Sequence, residues 1–111
     1  MTVQDAMKIL NAEIIMDKFQ DNEIKGAYTS DLLSDVMAHA KEGCALITIQ
    51  AHKNTVAVAT LVNASAIIIC NFRPIPNDMI SAAEEEGIAL LRTRENQFTV
   101  SGKLYGELCR Q

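Results

Sequence analysis

The sequence runs to 111 residues, 49% hydrophobic and 22% charged, with fourteen acidic against ten basic side chains and a net charge of −4. That length fits one domain over residues 1–111 with a core of its own, and the acidic balance argues against a general electrostatic grip on nucleic acid or anionic lipid, both of which need a basic face. The N-terminus lacks a basic region followed by an apolar run, and no stretch nears the roughly 18 apolar residues of a membrane helix. The sequence therefore predicts a cytoplasmic protein.

With 5% aromatic residues and no Trp, the core must be built from Ile, Leu, Val, Ala and Met. The three cysteines, Cys44, Cys70 and Cys109, are odd in number and show no CxxC spacing. They read as reduced thiols, with Cys70 in a strand core.

In chain order, Thr2 and Asp5 form a capping-box pattern ahead of Val3, Ala6, Met7 and Leu10, which share one helical face; Asn11 is the stop. Ala12–Met16 reads as a short strand with Glu13 toward solvent. Asp17–Asn22 is turn-like, and Glu23–Tyr28 is a weaker strand. The two N-terminal strands are expected at one edge of a sheet. Thr29 or Ser30 is the expected cap of a second helix, with Asp31 near its positive end. Leu32, Leu33, Val36, Met37 and Ala40 are its expected buried stripe, and Gly43 the residue just past its end.

The middle of the chain carries the strongest pattern. Ala45–Ile49 and Ala66–Cys70 are apolar on both faces, as strands buried between helix layers must be. Asn54 or Thr55 offers a cap for a helix through Val62, and two parallel strands need a crossover of about ten residues or more. This is a βαβ unit. After Pro74 and Pro76, Asn77 is the expected cap of a helix through Glu86 with Met79, Ile80 and Ala83 inward. Gly87 ends it and Ile88–Leu91 is the next buried strand. Asn96–Cys109 reads as a closing helix anchored by Phe98, Leu104, Tyr105 and Leu108.

Neither GxGxxG nor GxxxxGK[ST] occurs, so a dinucleotide fingerprint or P-loop is unsupported. Open α/β sheets bind ligands beyond the carboxyl ends of their strands. Gln50, His52, Asn54 and Thr55 after the first core strand, Asn71 and Arg73 after the second, and Thr93 with Arg94 after the third would share that rim. Arg73 has the guanidinium geometry to hold a carboxylate or phosphate. His39 and His52 lack metal-ligand spacing with a cysteine. The run Glu84-Glu85-Glu86 reads as a solvated acidic face, so no metal site and no cofactor are expected. No nucleophile–base–acid arrangement can be argued from residue order.

The series ALITIQ, a short polar turn, an Ala/Val helix, AIIICN, RPIPNDMISAAEEEGIALLRT and NQF resembles the DRTGG domain family over nearly the whole chain. AYTSDLLSDVM, residues 27–37, is similar to the "sDlLsdvm" helix of small stand-alone members. The resemblance implies an α/β fold: a small three-layer domain with a mostly parallel β-sheet flanked by helices, like the N-terminal domains of HPr kinase/phosphorylase and Mur ligases. It also implies a non-enzymatic regulatory or ligand-sensing module, paired as a homodimer, with a small anionic metabolite or adenine nucleotide as ligand. The alternative it leaves open is a protein–protein adaptor without a small-molecule ligand, linked to iron-hydrogenase or kinase systems and using Ser30–Ala40 or the C-terminal helix. Neither reading involves nucleic acid or a membrane.

The family's naming motif has an acidic-Arg turn after the first core strand and Gly-Gly after the second. This chain has Gln50-Ala51-His52-Lys53-Asn54 and Asn71-Phe72, and Ala89 replaces the usual Pro. Phe72 would obstruct the close backbone approach that a glycine allows a phosphate.

Overall fold

The computed structural model describes residues 1–110. Ten elements alternate along the chain: α1 (Val3–Ile9), β1 (Glu13–Met16), β2 (Gly26–Thr29), α2 (Leu33–His39), β3 (Cys44–Thr48), α3 (Lys53–Leu61), β4 (Ala66–Ile69), α4 (Asn77–Glu86), β5 (Ala89–Arg92) and α5 (Gln97–Leu108). The sheet order is β1-β5-β4-β3-β2, with β2 to β5 parallel and β1 antiparallel to β5. The two N-terminal strands therefore lie at opposite edges, not together. Helix α2 carries the chain from β2 into a parallel pairing with β3, while β1 returns antiparallel along β5.

The double-sided apolar pattern of the core strands produces the three layers. Ala45 and Ile47 of β3, Ala66 and Ile68 of β4, and Ala89 and Leu91 of β5 face a layer that includes Val3, Ala6 and Leu10 of α1 and Val100 and Leu104 of α5. Leu46, Ile67, Ile69 and Leu90 face the opposite layer, with Val36, Val56, Ala59, Met79 and Ala83. Each fully buried Ile or Leu contributes roughly 1.5–3 kcal/mol through area removed from water. Two fully occupied sheet faces hold this small domain together.

Local chemistry sets many of the element ends. The Thr2 hydroxyl accepts from the Asp5 N–H and the Asp5 carboxylate accepts from the Thr2 N–H, both at 3.0 Å; these bonds hold the Asp5 carboxyl below its ordinary range. Asn11 is left-handed, with φ of 49°, and ends α1. Gly87 is left-handed after α4, and Asn96 caps α5 by accepting from the Thr99 N–H.

Other boundaries differ from the sequence expectation. Strand β2 begins at Gly26; Ile24 is fully buried outside it, with its N–H donating to the Met1 carbonyl at 2.7 Å. The cap of α2 is Leu32 without a side-chain bond, because Ser30 instead accepts from the Leu32 N–H. Only Val36 of α2 is buried, and Leu32 and Met37 are exposed. His52, not Asn54 or Thr55, caps α3, and Pro76 precedes Asn77 as the cap of α4. Phe98 and Tyr105 do not anchor α5: they are 87% and 73% exposed, while Val100 and Leu104 are buried. Among the described residues, no helix is long and apolar enough to cross a membrane.

Candidate functional site

The four parallel strands end side by side, and the turns after them form the carboxyl edge of the sheet. Toward one side of it, just beyond the edge strand β2, is Asp31. One of its oxygens, Oδ1, accepts from the Thr48 hydroxyl, the Ile49 N–H and the Gln97 side-chain amide, each at 2.9 Å. Asp31 thus ties together the ends of β2 and β3 and the start of α5. The sequence placed it at a helix dipole, and nothing local signals this long-range role.

Several of the residues expected at the rim are bound up in the turns themselves. Thr55 is fully buried and its hydroxyl donates to the Gln50 carbonyl at 2.8 Å. His52 Nδ1 accepts from the Asn54 N–H at 3.0 Å. Thr93 is buried; its hydroxyl donates to the Leu10 carbonyl at 3.0 Å and accepts from the Glu95 N–H at 3.2 Å. The side chains of Gln50, Asn54, Asn71 and Arg73 are exposed and make no side-chain hydrogen bond among the described residues. The edge brings the turns carrying all seven residues to one end of the molecule, but Thr93 lies toward the α1 side.

The turn after β4 is the most unusual stretch of backbone. Asn71 and Phe72 are consecutive left-handed residues, with φ of 60° and 50°. Such a conformation costs an L-residue about 1–2 kcal/mol, less for Asn. It is held by the Asn71 N–H donating to the Glu95 carbonyl at 3.0 Å and the Phe72 N–H donating to the Thr93 carbonyl at 2.9 Å. The Phe72 ring lies between two guanidinium groups, with Arg92 and Arg94 each 3.9 Å from its centroid. Arg92 is fixed by Glu13, whose carboxylate accepts from its Nε and Nη2 at 2.7 Å. Arg94 has no ion pair or hydrogen bond of its side chain among the described residues.

Beside this stack is a cleft of about 440 Å³ bounded by Leu10, Phe72, Arg94, Glu95 and Lys103. Lys103 donates to Glu95 Oε2 at 2.6 Å, whereas Glu95 Oε1 is shielded from solvent and has no partner. This cleft joins α5 to the carboxyl edge, and the sequence reading missed all of it except Thr93 and Arg94. Its signal was the alternation Arg92-Thr93-Arg94, which sends two cations to one side of a strand end.

A second concavity of about 480 Å³ lies at the opposite end of the sheet. Glu23, Lys25, Glu42 and Glu86 line it. Among the described residues, no group of three or more His, Cys, Asp or Glu side chains is arranged to hold a metal ion. Burial, and secondarily the carboxylates of Asp31 and Glu95, push the Cys70 thiol up to about 12. It is therefore a protonated core residue at neutral pH and a poor nucleophile.

A family model described as the DRTGG domain matches residues 5–106. Over 39 residues, 35% of the chain, the sequence is 49% identical to an HPr kinase/phosphorylase of Streptococcus uberis, and that match covers 13% of the relative. The fold is similar to that of a solved structure of the CBS and DRTGG domains of the regulatory region of Clostridium perfringens pyrophosphatase, complexed with its activator diadenosine tetraphosphate. The TM-score is 0.74 at 16% identity, covering 93% of this chain and 45% of that one. The chain thus spans less than half the length of either.

Proposed function

The chain belongs to the DRTGG domain family, and from that premise we propose that it is a non-enzymatic regulatory module of the cytoplasm. It senses a small anionic metabolite or adenine nucleotide at the carboxyl edge and acts as a dimer. The observation that carries this reading is the pair Arg73 and Arg94, two side-chain cations without an acidic partner among the described residues, at the ligand-binding end of a parallel sheet in a chain of net charge −4. Gln50, His52, Asn54, Thr55, Asn71, Arg73 and Thr93 make up or support the rim. The pyrophosphatase regulatory region was solved with a dinucleotide activator, which supports testing phosphate-rich nucleotides first.

A ligand that binds only the folded state raises its stability by RT ln(1 + [L]/Kd). Thermal unfolding should be followed against AMP, ADP, ATP and inorganic phosphate. The expected result is a saturable rise of several degrees with one nucleotide, reduced in Arg73→Ala without a change in the unliganded melting temperature. Flat curves with every nucleotide would refute nucleotide sensing.

The dimer reading rests on α5. Phe98, Gly102 and Gly106 follow one another at intervals of four, and Tyr105 flanks them. A two-fold axis through Gly102 sets each Phe98 opposite the partner's Gly106, so the surface is complementary to itself. Sedimentation should show a dimer that Phe98→Lys dissociates; a monomer at all concentrations refutes it. The same exposed aromatics favour the alternative reading, an adaptor for a different protein. That reading gains if the chain is monomeric and nucleotides leave its melting temperature unchanged.

A further inference from the structure

We infer that the cleft between β5, α5 and the turn after β4 binds a phosphate ester carrying hydroxyl groups, such as a sugar phosphate or the ribose phosphate of a nucleotide. The site is separate from the Arg73 rim, and it deepens the sensing reading by assigning a ligand chemistry to the neighbouring cleft.

The argument starts from two unmet demands. Arg94 presents a guanidinium whose donors are uncommitted, and its plane is kept in place by the Phe72 ring. That ring is in turn backed on its other side by Arg92, which Glu13 fixes. An arginine held this way is pre-organised for a planar or tetrahedral oxyanion. The second demand is Glu95 Oε1, an acceptor shielded from water without a donor. Buried acceptors in this state are rare, and a donor from outside the chain, a bound water or a ligand hydroxyl, would satisfy it.

No simple anion both answers these demands and fills the cleft. Inorganic phosphate would satisfy Arg94 and can turn a P–OH to Glu95, but it occupies only a small part of a cleft of about 440 Å³. A metal ion would suit Glu95 but not its cationic neighbours Arg94 and Lys103. A phosphate ester with vicinal hydroxyls meets both demands: its phosphate lies against Arg94, and a hydroxyl donates to Glu95. Lys103, whose side chain is 42% exposed, turns from Glu95 Oε2 toward the phosphate and leaves the carboxylate to the hydroxyl. The cleft volume of about 440 Å³ is in the range of small-ligand sites.

The test is calorimetric titration and backbone NMR of the protein with ribose 5-phosphate, AMP, adenosine and inorganic phosphate. Ribose 5-phosphate and AMP should bind at least tenfold more tightly than inorganic phosphate, with shifts at Arg94, Glu95 and Lys103. A stronger AMP response identifies the nucleotide as the source, and an equal one the sugar phosphate. Arg94→Ala should abolish binding of ribose 5-phosphate, while Arg73→Ala leaves it intact. Glu95→Ala should weaken ribose 5-phosphate more than inorganic phosphate, so the preference shrinks. Equal binding of phosphate and ribose 5-phosphate to the unmutated protein, or binding unaffected by Arg94→Ala, overturns the inference. If nucleotides stabilise the protein through Arg73 but ribose 5-phosphate does not bind, only this inference fails. If ribose 5-phosphate and AMP bind through Arg94 and Arg73→Ala leaves the nucleotide-induced rise in melting temperature unchanged, only the Arg73 rim reading fails.

Discussion

Replacing Asp31 tests whether the carboxyl edge is held from one point. Asp31→Ala removes the common acceptor of the Thr48 hydroxyl, the Ile49 N–H and the Gln97 amide. Hydrogen bonds to a charged group contribute about 1.5–3 kcal/mol each, so three set an upper bound of about 5–9 kcal/mol. The true loss is smaller. Gln97 is half-buried and can turn to water, whereas Thr48 is fully buried and Ile49 half-buried. Two poorly satisfied donors at about 1–2 kcal/mol each leave a cost of about 2–4 kcal/mol. That is a large share of a domain stability of order 6–16 kcal/mol. Asp31→Asn keeps an acceptor oxygen and loses only charge assistance, which predicts about half that cost. Urea unfolding followed by circular dichroism should show both midpoints falling at unchanged slope, with Ala lower than Asn. A loss below about 1 kcal/mol for Ala, or an Asn variant no better than Ala, would refute the single-anchor account.

The left-handed turn makes an unusual prediction at Phe72. Phe72→Ala loses the ring and both guanidinium contacts but keeps a Cβ at φ of 50°, whereas Phe72→Gly loses the same ring and relieves the backbone. Glycine should be the more stable of the two by about 1 kcal/mol in chemical denaturation, the reverse of its usual rank. A Gly variant at or below Ala would count against the turn geometry. At α2, the Tyr28 hydroxyl donates to Asp35 at 2.7 Å. That bond is the main cause both of the lowered Asp35 pKa and of the raised Tyr28 pKa. The Asp35 contribution is present above the ordinary carboxylate range and is lost as pH falls through the lowered folded value. The Tyr28 contribution is present below the ordinary value of 10.0 and is lost as pH rises through the raised folded value. The stability difference between the unmutated protein and Tyr28→Phe should therefore be flat from about pH 5 to about pH 9 and shrink at both ends. A difference independent of pH would show that the bond is not made.

What the sequence made legible was local chemistry and strand burial. The Thr2–Asp5 capping box, the Asn96 cap and Gly87 each act within a few residues, so their meaning does not depend on the rest of the fold. The double-sided apolar runs of β3 and β4 announced a sheet covered on both faces. What stayed hidden needed a partner distant in sequence. The position of β1 depends on its antiparallel pairing with β5, some seventy residues later. Helix α5 carries two apolar stripes: Val100, Leu104 and Leu108 on one side, Phe98 and Tyr105 on another. The sequence reading drew its anchors from both stripes, and only the aliphatic one packs over β2 and β3, with Val100 and Leu104 buried. Asp31 looked like a helix-terminal acid because its true partners are Thr48, Ile49 and Gln97.

The turn at Asn71-Phe72 connects the departure from the family motif to where a ligand can bind. Two consecutive left-handed residues form a backbone that Gly-Gly would adopt without strain; this chain adopts it while carrying side chains. The room that two glycines would leave above the ends of β4 and β5 is filled by the Phe72 ring, and the ring is pinned from both faces by Arg92 and Arg94. An anion approaching that backbone directly meets the aromatic stack instead. Meanwhile the Asp31 network occupies the β2–β3 side of the edge, and Thr55 and Thr93 spend their hydroxyls on backbone carbonyls. Arg73 and Arg94 keep their guanidinium groups at this edge without an acidic partner among the described residues, so a ligand held by either proposed site would meet a guanidinium beside the aromatic stack and not the Asn71-Phe72 backbone.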